Sequence, residues 1–398
     1  MHARGLRVTV LGFVALFGVA CSNSSTATSV ATTDVGSTLA PVPTTLGDAL
    51  PAPLTAVLAE AARWQRFTTG DDTIEVWICH VPLDSTAAIY GGMQLRQPLT
   101  PAGVADVMTR QVTPYFDTLS HGEYHPVFRA GGEVNMATAD EPQSCVDEAV
   151  AGAASDTNAV FAVADAEHGD TQPGGFGTVG DQCDAPPCSV DATGRSAYIG
   201  ASDFHEDWGD LKPMDLAEHE IGHTLGWMHS GVETTGEYLS ALDVMSNSAA
   251  PRDVNPDRRD ASDTLGLNRL LAGWLPPSAV WAAPAVGGTV TLAPSMSLVD
   301  TRLAVVAIDA THFLTIELLT ADGFDAHLPA DGIAVHRVEV NDGIIQDAVP
   351  LVGEKPFDKL LQVGGVLTTD NVRITVDAGG GKGPAAEWTV TIVPSLGS

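Results

Sequence analysis

The sequence predicts an α/β (α+β) domain over residues 51–275, followed by an all-β, sandwich-like domain over residues 276–398. Three observations carry this reading. Between residues 54 and 200, strand-patterned apolar runs alternate with helical patterns, an α/β order. A further helical stretch then holds two histidines and a glutamate, with a third histidine just beyond it. From about Pro276 the chain changes to short β-rich runs parted by Gly, Pro, Asp and Asn, as in a β-sandwich. A length of 398 residues allows two or three domains with ample core.

Charge narrows the function classes. Asp and Glu number 50 against 19 Lys and Arg, a formal charge of -31. Such a surface repels nucleic acid and anionic lipid headgroups. Residues 1–20 read as an export signal: Arg4 and Arg7 form the basic end, and 8–20 form an apolar run too short to span a membrane comfortably. Gly18-Val19-Ala20-Cys21 resembles a bacterial lipobox, in which Cys21 is lipidated and becomes the mature N-terminus. Membrane attachment is then expected only through that lipid, with free secretion as the other reading. Setting Cys21 aside leaves Cys79, Cys145, Cys183 and Cys188, an even count that suits two disulfides in an exported protein. Of the three connectivities, Cys79–Cys145 with Cys183–Cys188 is favoured. Residues 22–50 are rich in Ser, Thr, Ala and Pro and read as a flexible tether.

The folded part then begins near Pro51. Residues 54–64 read as a short helix, and 73–78 alternate with β-branched residues, as a strand does. Thr100-Pro101 is a helix start for a segment running to about Leu119, with a kink at Pro114 and with Tyr115, Phe116 and Leu119 turned inward. Residues 158–164 carry an apolar run after Asn158 and read as a buried strand. Residues 173–188, dense in Gly, Pro and Asp, read as a loop. Ser196-Ala197-Tyr198-Ile199-Gly200 reads as a strand. Pro213 suits the first turn of the next helix, and Asp215 and Glu218 suit its positive end. Met214, Ala217, Ile221 and Leu225 give that helix an apolar face. Ser262 or Asp263 can cap a later helix through Leu265, Leu267, Leu270 and Leu271. In the last third, strands are expected at 289–292, 303–308, 313–318, 333–340, 372–376 and 388–392. His312, His327 and His336 lack metal-ligand spacing and read as surface or packing residues.

The chemistry concentrates in His219-Glu220-Ile221-Gly222-His223-Thr224-Leu225-Gly226-Trp227-Met228-His229. Residues four apart share a helix face, so His219 and His223 can meet one ion. Two imidazoles suit Zn2+, which needs a third protein ligand and an open position for water. His229 is the natural third, provided the chain turns sharply, and Gly226 can adopt the left-handed conformation that ends a helix. Glu220 is placed as general base. The competing reading is a buried helix with satisfied core histidines, but the full H-E-x-x-H-x-x-G-x-x-H pattern is far rarer by chance than its first five residues.

The pattern resembles the signature of the metzincin zinc peptidases. That family carries a methionine turn beneath the metal, and Leu242-Asp243-Val244-Met245-Ser246 is similar to it. The resemblance implies a metzincin-like catalytic domain, with Met245 as the structural turn residue. In some metzincins a Tyr two residues past this Met assists the metal; Asn247 stands there, and the role of Tyr238 is open. The resemblance also implies that Ala197, Tyr198, Ile199 and Gly200 form the edge strand that pairs with an extended peptide substrate. The run 268–275 and His229-Ser230 resemble the gametolysin-like and immune-inhibitor-A-like secreted bacterial metallopeptidases.

The function expected is that of a monomeric zinc endopeptidase acting on protein or peptide outside the cell, with Glu220 as base and His219, His223 and His229 as ligands. Ca2+ is a second candidate ion, because acidic residues are abundant. The alternatives are a non-catalytic surface lipoprotein that binds a partner or glycan around a structural metal, and a zinc hydrolase acting on a non-protein amide.

Overall fold

Trp77 and two glycines show how the first sheet is built. The computed structural model describes residues 50–64, 68–82, 89–90, 93–94, 96–138, 141–166, 174–182, 188–232, 238–254, 259–354 and 357–395. The expected signal segment, Cys21, the tether up to residue 49 and Cys183 lie outside them. Helix α1 (Ala52–Trp64) is followed by β1 (Gly70–His80), a small ribbon of β2 (Ile89–Tyr90) and β3 (Met93–Gln94), and then α2 (Pro101–Leu119). Thr100 caps α2, its hydroxyl accepting from the Gly103 N–H at 3.1 Å. Strand β4 (Tyr124–Asn135) pairs in parallel with β1. Gly131 and Gly132 sit in mid-strand because Trp77 lies on them: a Cβ there would come within 2.3 and 2.5 Å of its ring.

Next come α3 (Pro142–Gly152), β5 (Ala159–Ala164), β6 (Gly175–Thr178), α4 (Val190–Thr193), β7 (Ser196–Ile199), α5 (Asp215–Thr224), α6 (Ala250–Val254) and α7 (Gly266–Ala272). The sheet order is β4-β1-β5-β7-β6, with every pair parallel except β6 against β7. One face packs on α2 and α5 through Ile74, Ile78, Phe161, Met108, Phe116 and Ile221. The other packs on α3 through Val134, Val146, Ala149 and Ala162. Strand β5 is covered on both faces, which is why its sequence is apolar throughout. Cys79 and Cys145, both fully buried, form a disulfide that ties β1 to α3. Cys188 is also disulfide-bonded.

Three expectations need correction. Strand β7 lies inside the sheet, and Gly200 falls just beyond its end, so Ala197, Tyr198, Ile199 and Gly200 are not an edge strand. The edge is β6, within the stretch that reads as a loop. The second concerns α7, which takes no cap from Ser262 or Asp263. Its N-cap residue is Leu265, and the Gly266 N–H donates to Glu317 Oε2 at 2.9 Å, a carboxylate from the next region of the chain. Likewise Pro213 stands before the Met214 N-cap of α5 and not in its first turn.

The remaining strands are β8 (Val280–Ala282), β9 (Gly288–Leu292), β10 (Leu303–Ala307), β11 (His312–Leu319), β12 (Gly332–Asn341), β13 (Ile344–Pro350), β14 (Val366–Thr369), β15 (Val372–Gly380) and β16 (Glu387–Pro394). They form sheets of order β13-β12-β11-β10-β8 and β14-β15-β16-β9. A shared core joins the sheets, with Leu314, Ile316 and Val335 from one and Ile374, Val390 and Ile392 from the other. The first sheet's opposite face is also buried. There Leu303, Phe313 and Val338 meet Leu54 and Val57 of α1 and Leu267 and Leu270 of α7. Burial on both faces explains the unbroken apolar run of β10 and the burial of Thr315 and Glu317 along with the apolar residues of β11. The short strands β8, β13 and β14 carry no comparable run and escape sequence reading.

His336 of β12 is 1 % exposed, and neither ring nitrogen has a partner among the described residues. Burial pushes its pKa down from 6.5 to about 4. The unfolded chain therefore takes up this proton first on acidification, and stability is lost as pH falls from about 6.5 toward 4. Against a His336→Leu variant, the parent should lose about 2 kcal/mol more unfolding free energy between pH 7 and pH 4.5. Urea unfolding of both proteins at the two pH values checks this; parallel losses would contradict it.

Candidate metal centre

Helix α5 turns two different faces to its surroundings. Ala217 and Ile221, with Met214 and Leu225 at its ends, enter the core beneath the sheet. His219, Glu220 and His223 lie off that stripe. The helix stops where Gly226 takes φ +82°. The Gly226 N–H then donates to His223 O at 2.9 Å and the Trp227 N–H to Gly222 O at 3.1 Å, closing the helix end. Trp227, fully buried against Trp274 at 5.4 Å, anchors the turn and sends His229 back toward the helix. The same end of α5 is held by Arg195. Its guanidinium grips Asp72 of β1 at 2.7 and 2.8 Å and donates to Thr224 O at 3.0 Å, a cation at the negative end of a helix. Arg195 and Asp72 gave no signal in the sequence, because a buried ion pair between distant residues has no local pattern.

The three histidines converge. A ligand nitrogen from each lies within 4.8 Å of the other two, and this is the one such cluster of His, Cys, Asp or Glu among the described residues. His219 Nδ1 donates to Val244 O at 2.7 Å and His223 Nδ1 to Trp227 O at 2.8 Å. A carbonyl oxygen only accepts, so the proton sits on Nδ1 and each Nε2 keeps its lone pair. His223 Nε2 faces His229 Nε2 at 2.8 Å, which requires a shared cation or proton between them. Burial lowers the pKa of all three rings, to about 3 for His219 and about 4 for His229, with neighbouring imidazoles adding to the effect on those two. Neutral imidazoles are the form that binds metal.

Glu220 is 4 % exposed, and its Oε2 has no partner among the described residues. Burial alone pushes its pKa up to about 8. An orphaned carboxylate oxygen on the helix that carries two of the converging imidazoles fits a divalent cation, whose charge would favour the ionised form.

Two further parts frame the site. Met245 is fully buried under α5; a Cβ on Gly222 would lie 2.5 Å from its sulfur, so mid-helix glycine is required there. Asp243 accepts from Ser230 Oγ at 2.5 Å and Thr264 Oγ1 at 3.2 Å, which ties the residue after His229 to this turn. Burial raises Asp243 to about 6. Strand β6 lies directly across α5. A Cβ at Gly175 would meet Glu220 Cγ at 2.8 Å, and one at Gly177 would meet Glu220 O at 2.2 Å. The glycines that resemble a loop are what let the edge strand touch the helix. Tyr238 brings its hydroxyl 3.4 Å from His229 Nε2, with its ring 4.9 Å from that imidazole. Spacing along the chain does not mark it. No protein-family model matches the chain, and no curated protein matches it.

Proposed function

We propose that this protein is a zinc-dependent endopeptidase of metzincin type, acting outside the cell. One observation carries the reading: three imidazoles converge, His219 and His223 with Nε2 lone pairs available, and the same helix carries between them in sequence a buried Glu220 whose Oε2 is unpartnered among the described residues. A purely structural metal site has no use for that carboxylate. The buried Cys79–Cys145 pair supports an oxidising compartment, and the lipobox-like Cys21 supports surface anchoring.

His219, His223 and His229 would hold the ion. Bound there, Zn2+ supplies Lewis acidity to the scissile carbonyl and to an attacking water. Glu220 Oε2 accepts the water's proton and passes it to the leaving amine nitrogen. The outer edge of β6 offers backbone N–H and C=O groups to an extended peptide, a mode that reads main chain more than side chains. Tyr238, with its hydroxyl beside His229 and its ring 42 % exposed, is placed to donate a hydrogen bond to the substrate's carbonyl oxygen.

Glu220→Gln should retain zinc by elemental analysis yet cleave casein at least about 10²-fold more slowly. His223→Ala should lose both zinc and activity. Parent-like cleavage by Glu220→Gln would remove the assigned base. Tyr238→Phe should keep zinc and lower kcat roughly tenfold or more; an unchanged kcat would remove Tyr238 from the reaction.

A further inference from the structure

We infer that the β-rich C-terminal region is part of the metal centre's construction, with His327 and Asp347 as positioning residues that hold the His229 segment in register. The inference rests on the metal-site reading above and assigns work to residues far from the motif.

Among the described residues, 229–232 and 238–247 bond to one another. The Leu239 N–H donates to Gly231 O, Asn247 N–H to Ser240 O, and Ser230 N–H to Met245 O, each at 3.0 Å. This unit carries His229 at one end and, near the other, the Val244 carbonyl that orients His219. Its outward bonds go to Asp263 and Thr264 on one side and to the C-terminal region on the other. The Gly231 N–H donates to Ala348 O of β13 at 3.0 Å. The Asp347 carboxylate accepts from the Ala348 N–H at 2.7 Å, which fixes it beside the carbonyl that holds Gly231, and the Gly231 and Val232 amides favour its ionised form. His327 Nε2 donates to Ala241 O at 2.8 Å. Leu242 is buried among Leu319, Leu328, Ala334 and Leu360.

Gly231 makes the attachment strict. It sits at φ +59°, and a Cβ there would lie 2.8 Å from Ser240 Cβ. The chain leaving His229 therefore has one path, and β13 receives it. Ligand geometry depends on groups that hold the ligands, and losing such a group typically weakens metal binding by 10- to 100-fold. His327 and Asp347 act at one further remove, so the effect expected is near the lower end of that range.

The test uses the whole chain, with Zn2+ affinity measured by competition with a chromophoric chelator and Co2+ as spectroscopic probe. His327→Phe keeps a ring but loses the donor; His327→Gln keeps an N–H at similar reach. His327→Phe should weaken zinc binding about tenfold and alter the Co2+ visible bands, and His327→Gln should restore both to within about twofold. Asp347→Ala should shift affinity and spectrum in the same direction as His327→Phe. A residue that only supports the fold would lower the melting temperature and leave the spectrum of the bound ion unchanged. If the parent binds zinc and all three variants match its affinity and bands, the positioning role is refuted. If the parent itself binds no zinc, the metal-site reading fails first and takes this inference with it.

Discussion

Two main-chain carbonyls decide what the histidines can do. Val244 O and Trp227 O each take an Nδ1–H, so the Nε2 of His219 and of His223 is left as a lone pair. Neither carbonyl is supplied by the helix interior. Trp227 O arrives because Gly226 reverses the chain, and Val244 O arrives because Met245 is packed under Gly222. Much of the surrounding architecture serves these two deliveries. Trp227 is locked between Phe116 and Trp274. The Met245 turn is locked by Asp243, which reaches Ser230, Thr264 and Asn268. A helix bearing H-E-x-x-H without these supports would present imidazoles free to choose either tautomer.

How much of this was legible in the sequence depended on range. The ligand set, the Gly226 turn and Met245 are local or fixed in spacing, and the structure brings them together as the pattern implies. Strands whose faces are both covered, such as β5 and β10, show as unbroken apolar runs. The edge strand was misplaced for a physical reason. Gly175 and Gly177 have turn-like composition, yet they are glycine because α5 leaves no room for a Cβ. Gly131 and Gly132 hid β4 in the same way beneath Trp77. Contacts across long separations were silent. Asp72 with Arg195, Gly266 with Glu317 and Ala241 with His327 pair residues whose partnership no window along the chain contains.

The seam between the two regions is built as a core and not as a surface contact. The first sandwich sheet buries both faces, one on its partner sheet and one on α1 and α7. Helix α1 precedes the first sheet in sequence but packs against the last region, so the chain's two ends of order are bound together. A carboxylate as deeply buried as Glu317 is costly to place at such a seam, and burial lifts its pKa to about 7. Its Oε2 nonetheless accepts the Gly266 N–H, at the start of the helix that follows the Met245 turn. The sandwich thereby joins the framework beneath the site.

Desolvation then gives the centre its electrostatic character. The chain carries a formal charge of -31, yet the groups around the site are driven toward neutrality. The same loss of water pushes Glu220 up to about 8 and His219 and His229 down to about 3 and 4. Both shifts act against charge, so at neutral pH the four side chains together hold little of it. A divalent cation inverts this balance for Glu220 alone. It attracts the ionised carboxylate while the imidazoles, already neutral, need shed no proton to bind. A pocket of this kind is set against isolated charge, and a dication bound there would draw Glu220 toward its ionised form.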